Sequence, residues 1–144
     1  MVSLYGVKVL IYHGRGLEDV LANIPNGSYT KPMEGVKVLL KGRHLCPIWG
    51  GKTPIAPSET DELVIEDVPD ILHTGHLHKS GLSTYRGVLL IQSGTFQEQT
   101  DYQRMMGFDP DPGKVFVVNL KTLEPFLIDF YSSHLKLVSF RSTF

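Results

Sequence analysis

The chain has 144 residues, close to the commonest size of a single domain. With 42% hydrophobic and 20% charged residues it can bury a core, which excludes a disordered, collagen-like or coiled-coil chain. The formal net charge of −1 gives no sign of a nucleic-acid partner. There is no apolar run near the roughly 18 residues of a membrane helix, no signal peptide, and only one cysteine, Cys46. We therefore expect a soluble intracellular domain.

Charge is unevenly distributed along the sequence. Between Lys31 and Lys52 there are five cations and one acid, whereas between Glu59 and Asp70 there are six acids and neither Lys nor Arg. The two runs are either partner surfaces, one for phosphates and one for a basic protein, or solvated faces that can pair with each other. We favour solvated faces.

The first half of the chain predicts a buried strand, two helices and a long loop. The apolar run Val7–Tyr12 is typical of a buried strand that ends in a loop at His13 and Gly14. Apolar residues recur at helical spacing in Leu17–Ile24 and again in Met33–Lys41, where Pro32 precedes the helix and Gly42 follows it. The segment Arg43–Ser58 is rich in Pro and Gly, and we expect an ordered loop there.

The second half predicts short strands and one short helix, which makes the fold class α/β or, more broadly, α+β. We expect a turn where Asp109, Pro110, Asp111, Pro112 and Gly113 follow one another. The predicted strands are Leu63–Ile65, Ile71–His73, Val88–Gln92, Val115–Asn119 and Phe126–Phe130, and the predicted helix is Tyr102–Met106.

Three histidines follow predicted strands. His76 and His78 form a Gly-His-x-His pattern just after the strand at 71–73, and His13 ends the first strand in a similar way. Neutral imidazole is a common ligand of divalent metals, and α/β sheets place their chemistry at the carboxyl ends of their strands. A structural zinc site is not expected, because no Cys-x-x-Cys pair is present. The alternative is that each histidine is an ordinary hydrogen-bonded residue.

Longer motifs carry a resemblance to a known family. Tyr12–Arg15, Arg43–Pro57, His73–His78, Tyr85–Gln97 and the pair Gln99-Thr100 resemble, in this order, the small-subunit family of archaeal DNA polymerase D. The resemblance runs from about residue 6 to residue 129. The blocks at 43–57 and 85–103 are long and specific, whereas Gly-His-x-His alone is a weak signal.

The resemblance implies a fold and an activity. The family's catalytic part is a calcineurin-like phosphoesterase, a four-layer β-sandwich flanked by helices, and it acts as a metal-dependent 3′–5′ exonuclease that proofreads for the polymerase. Residues 1–131 would be the C-terminal part of that domain. Residues 132–144 form an unassigned tail that is a docking segment, an extra strand or a disordered end.

The same resemblance implies a metal site and partners. His13, His76 and His78 match three ligands of the family's two divalent ions, usually manganese, with His76 and His78 each facing one ion. Arg43 and His44 lie in a strongly matching block, where they either contact the DNA backbone or shape the loop. No catalytic residue beyond the metal ligands is assigned. The implied partners are the polymerase D large subunit and DNA 3′ ends, and no membrane is implied as a partner. The implied location is the cytoplasm, in association with the nucleoid.

The sequence departs from the family pattern in one respect. The upstream Asp-x-His, Gly-Asp and Gly-Asn-His-Asp motifs, which supply the remaining ligands, do not occur in it. The chain would then be a fragment, one product of a split gene, or a degenerate scaffold. Three functions stay open: part of an exonuclease, a non-catalytic subunit that docks a polymerase large subunit, and, more weakly, another calcineurin-like phosphoesterase.

Overall fold

The apolar segments of the chain build one mixed sheet with helices on one face. The computed structural model describes residues 1–132, so the predicted tail lies outside the described residues except for Ser132. The elements in chain order are β1 Val2–Leu4, β2 Val7–Ile11, α1 Leu17–Asn23, α2 Pro32–Gly42, β3 Ile71–Thr74, β4 Gly81–Tyr85, β5 Val88–Gln92, α3 Asp101–Met105, β6 Lys114–Asn119 and β7 Glu124–Asp129.

Three central strands run parallel and end at the same edge of the sheet. The strand order is β1-β2-β3-β5-β4, in which β2, β3 and β5 are parallel neighbours while β1 and β4 pair antiparallel at the two edges. The register places Leu10 beside Leu72, and Leu72 beside Leu90. The residues that follow β2, β3 and β5 therefore share one edge, where α/β sheets place their functional groups.

Each face of the five-stranded sheet packs against a different layer. On one face, Leu10, Leu72 and Leu90 meet the buried side chains of α1 and α2. On the other, a cluster around Ile71 and Ile91 packs against the β6–β7 hairpin. These layers confirm the α+β class, whereas the four-layer calcineurin-like sandwich stays a prediction. No helix within residues 1–132 is long and apolar enough to cross a membrane.

Two edge strands were not predicted, and one predicted strand is wrong. Both edge strands belong to hairpins with two-residue turns, Tyr5-Gly6 and Arg86-Gly87, in which both residues have positive φ. The segment Leu63–Ile65 does not form a strand, because its pairing is limited to the single bridge between His44 and Val64. The other predicted elements are confirmed, with ends that differ by at most two residues.

A buried carboxylate holds the long loop at 43–58, which contains neither helix nor strand. Asp19, only 4% exposed, accepts hydrogen bonds from the backbone amides of Lys52 at 2.7 Å and Thr53 at 2.9 Å. A Cβ on Gly51 would lie 2.5 Å from the Asp19 carboxylate, so only glycine permits this approach. Burial alone would raise the pKa of Asp19, but the hydrogen bonds from Thr53 and Lys52 outweigh it and lower that pKa.

We predict that Asp19→Asn lowers the free energy of unfolding at neutral pH by about 1.5–3 kcal/mol, because hydrogen bonds to a buried charge are lost. A carboxyl whose pKa is lowered by folding stabilises the fold above its unfolded pKa, and this is lost as the pH falls through the folded value. The difference from the unmodified protein should therefore shrink below about pH 4 in urea denaturation.

Asp67, an exposed aspartate 3.9 Å from Lys8, provides the control. Asp67→Asn should leave the unfolding midpoint nearly unchanged at both pH values, since exposed ion pairs contribute little. If Asp19→Asn behaved like Asp67→Asn, the Asp19 carboxylate would not hold the loop.

Candidate metal centre

Two neighbouring parallel strands bring His13 and His76 together. His13 comes two residues after β2, and His76 comes two residues after β3. The loops stay paired beyond the strands, since the Tyr12 amide donates to the His73 carbonyl at 2.9 Å and the Gly75 amide donates to the His13 carbonyl at 3.1 Å. Backbone hydrogen bonds between the two loops therefore help to position both histidines.

Glycine at position 14 allows the two loops to touch. Gly14 has φ of +98°, and a Cβ placed there would lie 2.5 Å from the Gly75 carbonyl oxygen. Buried Gln92 fixes that carbonyl from the other side, because its side-chain amide donates to the Gly75 oxygen at 2.6 Å. Thr74 donates to the Gln92 side-chain oxygen at 2.6 Å and completes the network.

The imidazoles of His13 and His76 face each other. Nε2 of His13 lies 3.1 Å from Nδ1 of His76, with the ring centroids 4.8 Å apart. On the opposite side of its ring, Nε2 of His76 donates to a carboxylate oxygen of Glu18 at 2.9 Å. A proton on Nε2 leaves the lone pair of Nδ1 directed towards His13. Glu18 therefore sets the tautomer and the orientation of His76.

Burial favours the neutral form of the His76 imidazole. Its side chain is 17% exposed, and burial is the main cause that lowers its pKa. The hydrogen bond that His76 donates to Glu18 raises that pKa, while the nearby His13 and Arg15 lower it further. Neutral imidazole is the form that binds a metal, and the lowered pKa of His76 favours that form.

His78 lies next to the same cluster but turns towards α3. Its Nδ1 is 2.9 Å from Nε2 of Gln103, which together with Thr100 forms the capping box that begins α3. Both His76 and His78 have positive φ, +74° and +55°, a conformation that costs a non-glycine residue energy. Strain of this kind is concentrated at functional sites.

Among residues 1–132, Arg43, His44 and His73 make structural contacts away from this cluster. The Arg43 guanidinium donates to the backbone carbonyls of Ile65 and Glu66. His44 lies 2.8 Å from the Asp61 carboxylate, which ties the start of the loop to its far end. His73 points to the other face of the sheet, where it lies 2.6 Å from the Ser93 hydroxyl. These contacts are those expected of residues that shape loops.

The spacing of the two facing nitrogens fits a shared divalent ion. Two nitrogens held about 2.1 Å from one ion at a right angle lie about 3 Å apart, close to the observed 3.1 Å. Within residues 1–132, no group of three or more His, Cys, Asp or Glu side chains is arranged to hold an ion. The described residues therefore supply two converging nitrogen donors, and a metal site would need further donors.

Sequence reasoning did not find Glu18, Gln92 and Gln103, which support this cluster. Glu18 is one acid in an amphipathic helix, and its role depends on a contact 58 residues away. A glutamine at the end of a fully apolar strand is a detectable signal for Gln92, since buried polar groups require partners.

The sequence is similar to the small subunits of an archaeal DNA polymerase. No family model matches the chain. It is 53% identical over 116 residues to the DNA polymerase II small subunit of Archaeoglobus fulgidus, covering 81% of this chain and 24% of that protein. The small subunits of Methanocaldococcus jannaschii and Pyrococcus furiosus are each 48% identical, over 83% and 85% of this chain and 20% of each relative.

The predicted resemblance is thus confirmed. The chain is homologous to a segment of archaeal DNA polymerase II small subunits, and it spans between a fifth and a quarter of the length of those relatives.

We predict that Gly14→Ala displaces the His13 loop from the His76 loop. The left-handed φ and the clash with the Gly75 carbonyl should together lower the free energy of unfolding by about 2–5 kcal/mol. Gly6→Ala is the matched control, because Gly6 also has a positive φ, +87°, but a Cβ there meets nothing within 4 Å. It should cost only about 1–2 kcal/mol in the same urea denaturation. Equal effects of the two substitutions would show that the close approach is unimportant.

Proposed function

We propose that this chain supplies part of the active site of a metal-dependent 3′–5′ exonuclease within an archaeal DNA polymerase. The observation that carries the proposal is the convergence of Nε2 of His13 and Nδ1 of His76 at 3.1 Å, with Glu18 orienting the second ring. The similar proteins are named DNA polymerase II small subunits, which supports the polymerase context. We further propose that the segment has the calcineurin-like sandwich fold that the resemblance implies.

In this function, residues of this chain would bind the metal ions and orient the side chains that bind them. His13 and His76 would bind one divalent ion, while His78 would face a second ion. Glu18 holds the proton on Nε2 of His76, so that Nδ1 keeps its lone pair for the metal. A pair of divalent ions, manganese in the proposed enzyme, would polarise a phosphodiester and lower the pKa of bound water. The remaining ligands would come from the part of the relatives' length that this chain does not span.

The proposal also includes partners. A protein named as a small subunit assembles with another polymerase subunit, and we propose that the protein containing this segment binds a large subunit and acts on DNA 3′ ends. The alternative is a non-catalytic scaffold, and the experiment below distinguishes it from an exonuclease.

We predict that His76→Ala in the full-length small subunit, assembled with its large subunit, lowers manganese-dependent degradation of a DNA 3′ end at least about 100-fold. Assembly with the large subunit should persist, because His76 is a ligand and not part of the hydrophobic core. Degradation is followed on a labelled primer, and assembly by size-exclusion chromatography.

The control is His73→Gln, because His73 lies in β3, three residues before His76, but faces the other side of the sheet. It should retain most of the activity. Unchanged degradation by His76→Ala would contradict the ligand assignment. An assembled complex that never degrades a 3′ end with manganese would favour the scaffold.

We predict that Glu18→Ala weakens manganese binding by about 10- to 100-fold without removing a ligand, since the carboxylate acts through His76. Glu18→Gln keeps an oxygen that can accept the hydrogen bond from Nε2, and its affinity should lie between those of Glu18→Ala and the unmodified protein. Affinity is read from the electron paramagnetic resonance signal of free manganese. Equal affinity in all three proteins would show that Glu18 does not orient His76.

A further inference from the structure

A cavity lies directly beside the histidine cluster. This aromatic pocket, defined by Tyr29, Tyr102 and Phe108 with His76 and His78 on one wall, has a volume of about 260 Å³. That is slightly below the lower end of ordinary small-molecule sites, about 300 Å³, and is suited to a single small ring system. A ligand in the pocket would therefore lie next to any ion held by the histidines.

The walls of the pocket present aromatic rings. Tyr29 and Phe108 are half-buried, with ring centroids 4.9 Å apart and the planes tilted by 46°. Tyr102, on α3, is 67% exposed, so one face of its ring is available for stacking. Burial, followed by the negative charge of Glu18, raises the pKa of Tyr29. Its hydroxyl therefore stays protonated and can donate a hydrogen bond.

The charges around the pocket do not favour a phosphate inside it. Of the described residues that line the pocket, Lys79 is the cation, and its ammonium group lies 3.1 Å from Asp111 and 3.7 Å from Asp109. The carboxylate of Glu18 already accepts a hydrogen bond from His76. The pocket therefore suits an uncharged ring, while the phosphate attached to that ring belongs at the histidines.

Hydrogen-bonding groups remain available at the rim. Within residues 1–132, the side-chain amide of Gln97 and the hydroxyl of Tyr102 form no hydrogen bond. An amide can donate and accept, so Gln97 can bind the polar edge of any base. Aromatic stacking adds affinity without strong sequence preference, because every nucleobase has a π face.

We propose that the aromatic pocket binds the nucleobase of the terminal nucleotide at a DNA 3′ end, stacked on Tyr102. This inference rests on the proposed function, because it places the phosphate of that nucleotide at the histidines. The base would be held in the same position after cleavage, so the pocket should also bind the released deoxynucleoside 5′-monophosphate.

The test compares two probes on the full-length small subunit without metal, in the presence of a chelator. Thymidine 5′-monophosphate carries the base, and deoxyribose 5-phosphate lacks it. Calorimetry or ligand-observed NMR should show about tenfold tighter binding of the nucleotide. Tyr102→Ala should abolish this difference, Tyr102→Phe should preserve it because the ring remains, and Trp49→Ala, an exposed aromatic outside the pocket, should leave it intact.

The result that would overturn the proposal is equal binding of the two probes, including no binding of either. A base-dependent difference that survives Tyr102→Ala would also overturn it. Because the measurement needs neither metal nor catalysis, it can succeed or fail independently of the proposed exonuclease. The latter is tested by manganese-dependent degradation in His76→Ala.

Discussion

The structure of the site depends on the contact between Gly14 and the Gly75 carbonyl. Parallel pairing of β2 with β3 carries the two strands to one edge, but only a residue without a side chain lets the following loops meet. Gln92, buried beneath them, holds the same carbonyl. The 3.1 Å approach of His13 and His76 follows from this backbone contact.

The strands and helices that fill the core were predictable because their apolar spacing determines them. Val88–Gln92 was predicted with its observed ends, and α1 and α2 to within one residue at each end. The edge strands β1 and β4 were missed because neither contains a continuous apolar run, although the turns Tyr5-Gly6 and Arg86-Gly87 indicate hairpins. Leu63–Ile65 has an apolar pattern, but within residues 1–132 its pairing is limited to the bridge between His44 and Val64.

The same contrast applies to the site. The histidines could be selected from their positions after strands, because parallel strands end together whatever the details of packing. Their supporting residues could not, since Glu18 and Gln103 reach His76 and His78 across 58 and 25 residues of sequence. The role of Asp19 was likewise hidden, because an acid on a helix gives no sign in the sequence that it binds the amides of Lys52 and Thr53.

The central claim is that His13 and His76 share one metal ion. Anomalous diffraction at the manganese edge, from crystals of the full-length small subunit grown with manganese, tests it directly. The account predicts a peak about 2.1–2.2 Å from both Nε2 of His13 and Nδ1 of His76, with Glu18 still on Nε2 of His76. A peak bound to neither nitrogen, with the two imidazoles still in contact with each other, would contradict it.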